Sequence, residues 1–411
     1  MLKKVLFTVV IMGTSMRTHT QQWKNWANNQ QCTATIITPK NMPELVSIIK
    51  KANTEQATVH AVGSSHSWSD IVCVDGYLIN TDKLNKLISV NIEKNQVTVQ
   101  AGIKLKDLNA QLAKLGLCLS NQAAITKQSL AGAISTATHG SGKTGTLASF
   151  VTKVQLLTAD GSLKTFSKTE NKDLFGAIRT SMGTLGIMTE LTVQCEPLFK
   201  VARETKTIDW QAALKTYQDL LNDNDFMEFH WNVSDDSVDI KIHNRVTPET
   251  NSKKNNNKNV GDSYKMLSGT LLVKYVEEEI AIPLDKFVEA AQAARELVRK
   301  NYKKSSQFHG ILFRFVSAEK HNFLSPASGR DVVYFSITTP FRSGYEQFYK
   351  EYYDLMLKFS GRPHWGKINY LTKNDVQKLY GKKYEKFVAV RKKLDPQGMF
   401  SNHFTRNIFG W

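Results

Sequence analysis

Apolar positions along the chain follow two rhythms. Thr33 to Thr38 is rich in β-branched residues and reads as a strand. Asn41 then stands before Pro43 and Glu44, a helix start with a side-chain cap, and Leu45, Ile48, Ile49 and Ala52 follow at helical spacing. Ala57 to Val62 is strand-like again, as is Gln96 to Ile103. Leu105, Leu108, Leu112 and Leu115 then form one helical stripe, closed by Gly116 where a helix C-terminus favours glycine. This strand and helix alternation predicts βαβ packing with some parallel sheet. Further on, Phe150–Leu157 and Leu163–Phe166, joined by Ala159-Asp160-Gly161, predict a β-hairpin, and Thr184–Val193 a strand. A first unit ends near Glu196-Pro197. From 200 to 375, longer helices (Leu284–Asn301, Gly344–Phe359) mix with strands at Val238–Ile242, Leu267–Val276 and Val332–Thr338. Asn251–Asn259 is polar and of low complexity, and reads as an exposed, mobile loop. The fold class is α+β, and 411 residues exceed one ordinary core, so two domains are expected.

Charge widens the picture only a little. The chain carries 54 basic and 37 acidic side chains, a formal net charge of +17. That balance suits nucleic acid, an anionic membrane surface, an acidic cofactor, or solubility alone. No zinc-finger spacing or ribonucleoprotein motif occurs, so no nucleic-acid partner is expected. The four cysteines, Cys32, Cys73, Cys118 and Cys195, include no C-x-x-C pair; structural zinc has no support, and disulfides are permitted without being argued for. Residues 1–21 have the shape of a secretory signal: Lys3 and Lys4, then an apolar stretch from Val5 to Met12, then Gly13, Thr14 and Ser15. That stretch is too short to span a bilayer. Export is the expectation, to the periplasm, the medium or a membrane surface, with the cytoplasm as the alternative and peripheral membrane association in view.

Three stretches of small residues carry the candidate chemistry. The first, Ala61 to Asp70, reads AVGSSHSWSD and sets His66 in a tight turn where small neighbours let the backbone approach another group closely. Such a histidine is solvated, hydrogen-bonded, a metal ligand or chemically attached. The second, Ser129 to Gly145, reads SLAGAISTATHGSGKTG. Gly142-Lys143-Thr144 imitates a phosphate loop, but Ala137 occupies the position of its first glycine, so a nucleoside-triphosphatase is not indicated. Amides and hydroxyls without bulk can instead line a long, flat, anionic ligand. The third, Met182 to Ile187, could do the same. One glycine turn is weak; three in one unit point to a dinucleotide cofactor.

Taken in order, GSSHS at 63–67, ATHGSG at 137–142, GTLGI at 183–187, RPHWGK at 362–367 and LDPQGMF at 394–400 resemble the sugar-lactone and alditol oxidases of the vanillyl-alcohol-oxidase flavoprotein superfamily, from about residue 22 to the C-terminus. The resemblance implies a two-domain PCMH-type FAD-binding fold. Residues 22–197 would form the FAD domain, 198–375 a substrate (cap) domain on an antiparallel sheet, and 376–411 a segment returning to the FAD domain. Gly63, Ser64, Ser65, His66 and Ser67 match the pyrophosphate loop, and His66 matches the histidine bonded through a ring nitrogen to the 8α carbon of FAD. Ser129, Ala133, Thr136, Ala137, Thr138 and His139 would lie along the cofactor, with Gly186 and Ile187 further on. No cysteine falls in 129–142, so a single covalent attachment is implied. His139 is open between bracing its loop and direct chemistry.

Lys367 matches the family's lysine beside the flavin, with His364 and Trp365 next to it, and Arg314 matches a second cation. Charge there would stabilise a developing alkoxide. The bland alternative is that both are paired or solvated surface charges. One departure stands out: the family's glutamate two positions before this arginine is Leu312, which removes an acceptor, and Glu319 is no obvious substitute. The implied reaction is oxidation of an aldonolactone, D-arabinono-1,4-lactone being the nearest single substrate, with molecular oxygen as acceptor and hydrogen peroxide as product. An alditol or carbohydrate oxidase, a lactone dehydrogenase using a cytochrome or quinone, and a flavin-binding protein without turnover are the alternatives. No metal is expected.

Overall fold

The computed structural model describes residues 20–246, 259–269, 274–302, 310–341 and 344–410. The signal-like stretch 1–21 lies outside them except for its last two residues, and Asn251–Asn259 lies outside them except for Asn259. Among the described residues, β1 (Thr20–Lys24), β2 (Gln31–Ile37), β3 (Val59–Val62) and β4 (Tyr77–Asn80) form a sheet in the order β1-β2-β4-β3. The pairs β2–β4 and β3–β4 are parallel, and β1–β2 is an antiparallel hairpin. Helix α1 (Met42–Thr54) makes the crossover. Asn41 accepts from the Glu44 amide, Pro43 sits in the first turn, and Leu45, Ile48, Ile49 and Ala52 are buried.

A second sheet runs β5-β6-β10-β8-β9, from β5 (Leu87–Asn91), β6 (Gln96–Gln100), β8 (Val151–Leu157), β9 (Leu163–Ser167) and β10 (Ile187–Gln194). The β8–β9 hairpin turns through Gly161 at φ +75°. Every pairing in this sheet is antiparallel. The βαβ expectation is therefore met in the first sheet and not around α2 (Leu105–Lys114). That helix leads instead into β7 (Leu117–Cys118), which pairs antiparallel with β11 (Glu196–Pro197). The helical stripe and Gly116, at φ +69°, are where the pattern places them, but periodicity does not say which strand follows.

The third sheet has eight strands, all pairings antiparallel, in the order β15-β12-β14-β13-β17-β18-β16-β19. They are β12 (Lys200–Asp209), β13 (Phe226–Asn232), β14 (Ser237–Arg245), β15 (Val260–Asp262), β16 (Tyr275–Pro283), β17 (Gly310–Val316), β18 (Val332–Pro340) and β19 (Arg362–Pro363). Alternation sorts its two faces. Phe229 and Trp231, Phe313 and Phe315, Phe335 and Ile337, and Val276 and Ile280 belong to the main hydrophobic core, where Phe287 of the helix Phe287–Tyr302 packs on Phe313, Phe315 and Phe335. The intervening positions His230, Leu312, Arg314, Ser336, Thr338, Glu277 and Glu279 line a cavity on the other face.

One expected strand is misplaced. Leu267–Val276 is not a strand: Leu267 follows the short helix Ser263–Met266, residues 270–273 lie outside the described set, and the strand runs Tyr275–Pro283. The run Glu277-Glu278-Glu279 lies within this strand, and all three are buried. The C-terminal segment packs back on the first sheet. The Val59 amide donates to the Met399 carbonyl at 2.8 Å, and Met399 and Phe400 join the cluster of Leu45, Ile49, Val59 and Ile79.

Candidate active site

A cavity of about 360 Å³, within the size range of small-molecule clefts, lies between the small-residue stretches and the polar face of the third sheet. Its upper wall is the turn after β3. Gly63 is there because nothing else fits: a Cβ would stand 2.0 Å from Ser129 Oγ. Ser65 adopts φ +54° and is held from outside, its carbonyl accepting from the Trp26 amide at 2.8 Å and its hydroxyl from Trp23 Nε1 at 3.1 Å. Asn25 Nδ2 donates to the Ser67 carbonyl at 2.8 Å. Ser64 accepts from Lys104 Nζ at 2.9 Å and donates to the Lys127 carbonyl at 2.6 Å. Beyond the turn, the Trp68 amide donates to the Gly366 carbonyl at 2.8 Å and Trp68 Nε1 to the Tyr275 carbonyl at 2.8 Å. Cys32 of β2 and Cys73 form a disulfide across Cα atoms 5.8 Å apart, so the β1–β2 hairpin and this loop are tied covalently. His66 stacks on Trp26 with ring centroids 4.7 Å apart. Burial first, and the nearby Lys367 charge second, bring its pKa down to about 4, so the imidazole is neutral at neutral pH with a lone pair available.

Gly63, Ser64, Ser65, His66, Ser67, Ser129, Thr136, Thr138, His139 and Gly186 line the cavity, as do Arg314, His364 and Lys367. Ala133, Ala137 and Ile187 do not. Ala133 and Ala137 are buried in and just after the helix α3 (Leu130–Ser135), and Ile187 is part of the α1-side core. Their neighbours Gly132 and Gly183 border the cavity in their stead. The misleading Gly142-Lys143-Thr144 stretch spends its groups on protein: the Gly142 amide donates to the Phe315 carbonyl at 2.8 Å, and Lys143 Nζ to the Asn222 carbonyl at 2.7 Å.

The charged end of the cavity comes from β16, β17 and the 364–367 turn. Arg314 pairs with Glu279, and Lys367 with Glu277. Ser336 donates to the second oxygen of Glu277 at 2.5 Å, and Lys367 Nζ lies 4.3 Å from the Trp68 ring centroid. Burial opposes ionisation of Glu279, but the adjacent Arg314 cation outweighs it and holds the carboxyl well below the usual range. Burial likewise disfavours the Arg314 cation, and Glu279, Glu277 and Glu228 more than restore it. His139 donates from Nδ1 to the Gly140 carbonyl at 2.8 Å, stacks on Tyr334 with centroids 3.6 Å apart, and turns Nε2 to 3.4 Å from Glu279. Burial keeps the pKa values of His139 and His364 low, so both rings are neutral.

His139, Glu279 and His364 lie close enough to share a cation. The donor chemistry argues otherwise. Glu279 already neutralises Arg314, and His364 accepts the Gly366 amide at Nδ1 (3.0 Å), so its other nitrogen carries the proton of the neutral ring. Leu312 faces the cavity between His230 and Ser336 in register, apolar as expected. The carboxylates come instead from β16, which sequence reading missed because it ended that strand at Val276. Glu319 stays outside, buried and accepting the hydroxyls of Thr146 and Ser325.

The residues present fit a dinucleotide cofactor. Glycines clear one end, hydroxyls line it, and at the charged end Arg314 Nε, Glu279 Oε2 and His139 Nε2 are buried without hydrogen-bond partners among the described residues. Fold and site together define a FAD-dependent oxidoreductase: residues 33–167 match the family described as FAD binding domain, and 249–408 match the family described as D-arabinono-1,4-lactone oxidase. The chain belongs to the family of aldonolactone oxidoreductases that includes the L-gulono-1,4-lactone dehydrogenase of Mycobacterium tuberculosis, to which it is 31% identical over 94% of its own length and 99% of that protein's. The mouse L-gulonolactone oxidase is 30% identical over 94% of this chain and 98% of its own. Among solved structures, the fold is similar to cholesterol oxidase from B. sterolicum, with TM-score 0.80 at 15% identity, covering 99% of this chain and all of that one (100%).

Proposed function

We propose that the chain oxidises a carbinol of an aldonolactone, D-arabinono-1,4-lactone first among them, and passes two electrons and two protons to dioxygen to give hydrogen peroxide. The observation that carries this is a pair of cations, buried Arg314 and half-buried Lys367, each held by its own carboxylate on one wall of the cavity whose other wall bears His66. When bound, FAD supplies the hydride acceptor. Arg314 and Lys367 hold the substrate oxygen and stabilise negative charge as its proton leaves. Neutral His139 and His364 offer a proton acceptor and a donor at the same end. The apolar Leu312 favours a compact lactone ring over an open polyol, which would leave extra hydroxyls unpaired there. Anaerobic bleaching of the bound flavin by D-arabinono-1,4-lactone tests the reading; a flavin that no lactone or polyol reduces would overturn it.

We propose further that His66 bonds covalently to the 8α carbon of FAD. A neutral imidazole fixed against Trp26 at the cavity wall supports this. Acid-precipitated protein should stay yellow, and His66→Ala should release all flavin to the supernatant. A second reading, a dehydrogenase using another acceptor, is supported by the mycobacterial relative, an L-gulono-1,4-lactone dehydrogenase. Peroxide formation under air separates the two. In the same reading, residues 22–197 with 376–411 hold the cofactor and 198–375 the substrate. Export is the proposed localisation, supported by the Cys32–Cys73 disulfide, which persists in oxidising compartments.

A further inference from the structure

A second recess, of about 390 Å³, shares no lining residue with the flavin cavity. Its rim is basic. Lys168 follows β9, Lys172 begins the helix α4 (Lys172–Ile178), and Lys320 and His321 follow β17. Arg179 forms its floor, only 4% exposed. The guanidinium donates to the carbonyls of Ala148 and His321 and lies 4.8 Å from the Phe175 ring centroid, while its Nε has no hydrogen-bond partner among the described residues. Lys168 Nζ donates to the Ser149 carbonyl at 3.3 Å. None of these four cations forms an ion pair among the described residues.

The nearby carboxylates only partly offset them. Glu319 itself lines the recess near Arg179 and Lys168, but it is buried and engaged by Thr146, Ser325 and Asn322, and burial pushes its carboxyl toward the neutral form. Asp173 is exposed and directed at Lys386, 3.7 Å away. Four like charges gathered around one recess repel one another, and an anion relieves that repulsion. The space is too large for a halide and extends over Phe175, so an oxyanion with an attached group suits it.

From this recess, where four cations face one carboxylate that burial pushes toward neutrality, we infer a second binding site, for a phosphate-class oxyanion with two or more negative charges, independent of the flavin chemistry. It would brace the junction between the loop that ends at Gly145 and the segment that follows β17, which Ser317 N and Thr144 O already join at 3.1 Å. Binding should therefore raise thermal stability and leave turnover unchanged.

The test uses the cofactor-loaded full chain, so that the flavin cavity is filled, in chloride buffer of low ionic strength. Equilibrium dialysis with radiolabelled pyrophosphate should show saturable uptake. K168Q/K172Q, which changes only exposed side chains, should weaken that uptake by about tenfold or more with its anion-free melting temperature unchanged. Flotation with phosphatidylglycerol vesicles identifies the source. Vesicle binding that K168Q/K172Q abolishes, together with pyrophosphate uptake, means a lipid headgroup; uptake without vesicle binding means a soluble phosphate compound. Absence of saturable pyrophosphate uptake, or uptake that K168Q/K172Q leaves intact, overturns the inference.

Discussion

Side-chain exposure is 9% for Arg314 beside Glu279 and 14% for Lys367 beside Glu277. That small difference separates what their substitutions report. Arg314→Met leaves Glu279 charged and alone in a site where it is 1% exposed, and should destabilise the fold by about 3–5 kcal/mol, measured by urea unfolding. Lys367→Met leaves Glu277 its Ser336 hydrogen bond, and should slow anaerobic flavin reduction about 10²–10³-fold with flavin content unchanged. Near-normal reduction would remove Lys367 from the chemistry. Both cations were legible from their motifs. Their carboxylate partners were not: nothing in Glu277-Glu278-Glu279 says that a strand buries acidic side chains on both of its faces, because the compensating charges lie 35 and 90 residues away in sequence.

Strand β16 sends Glu277 and Glu279 to the cavity, and alternation therefore sends Glu278 to the helix side, among Val276 and Ile280. Both Glu278 oxygens are buried without hydrogen-bond partners among the described residues, and burial raises its pKa well above the ordinary value. The unfolded chain releases this proton at its ordinary pKa while the native protein keeps it, so the contribution is intact below about pH 4.3 and is lost as pH rises toward the native value. Stability should fall by up to about 1.4 kcal/mol per pH unit across that window from this residue alone. Glu278→Gln should flatten the slope of unfolding free energy against pH between 5 and 8; an unchanged slope would show that Glu278 does not titrate in that range. The disulfide acts on elements too. It closes a loop of 41 residues, and Cys73→Ser should cost about 4 kcal/mol on the chain-entropy account, read as a lower melting temperature that matches reduced wild type. Helix α1, the β8–β9 hairpin and the strand Val332–Pro340 were legible from local pattern. The Cys32–Cys73 pairing was not, since four cysteines allow several pairings and only the tertiary fold chooses.

Across the whole molecule, two halves meet at the cavity, and the contacts that close it are long-range. Trp68 reaches Tyr275 across 207 positions, Ser69 reaches Trp365 across 296, and Asn402 reaches Asp70 across 332. The order of motifs along the chain indicated a cofactor site, but pattern alone did not show which backbone groups bolt its walls together. The net charge of +17, read in the sequence as solubility or an acidic partner, is concentrated in part around one recess that shares no lining residue with the flavin cleft.

Those same contacts fix a time order in the cell. The turn that bears His66 is translated early, yet it rests on Gly366 and Trp365, and the strand leading into it rests on Met399. A nascent chain that has not reached Met399 lacks these supports, so the cofactor site is complete only once that residue has emerged, and a stop codon before Met399 should yield a colourless product.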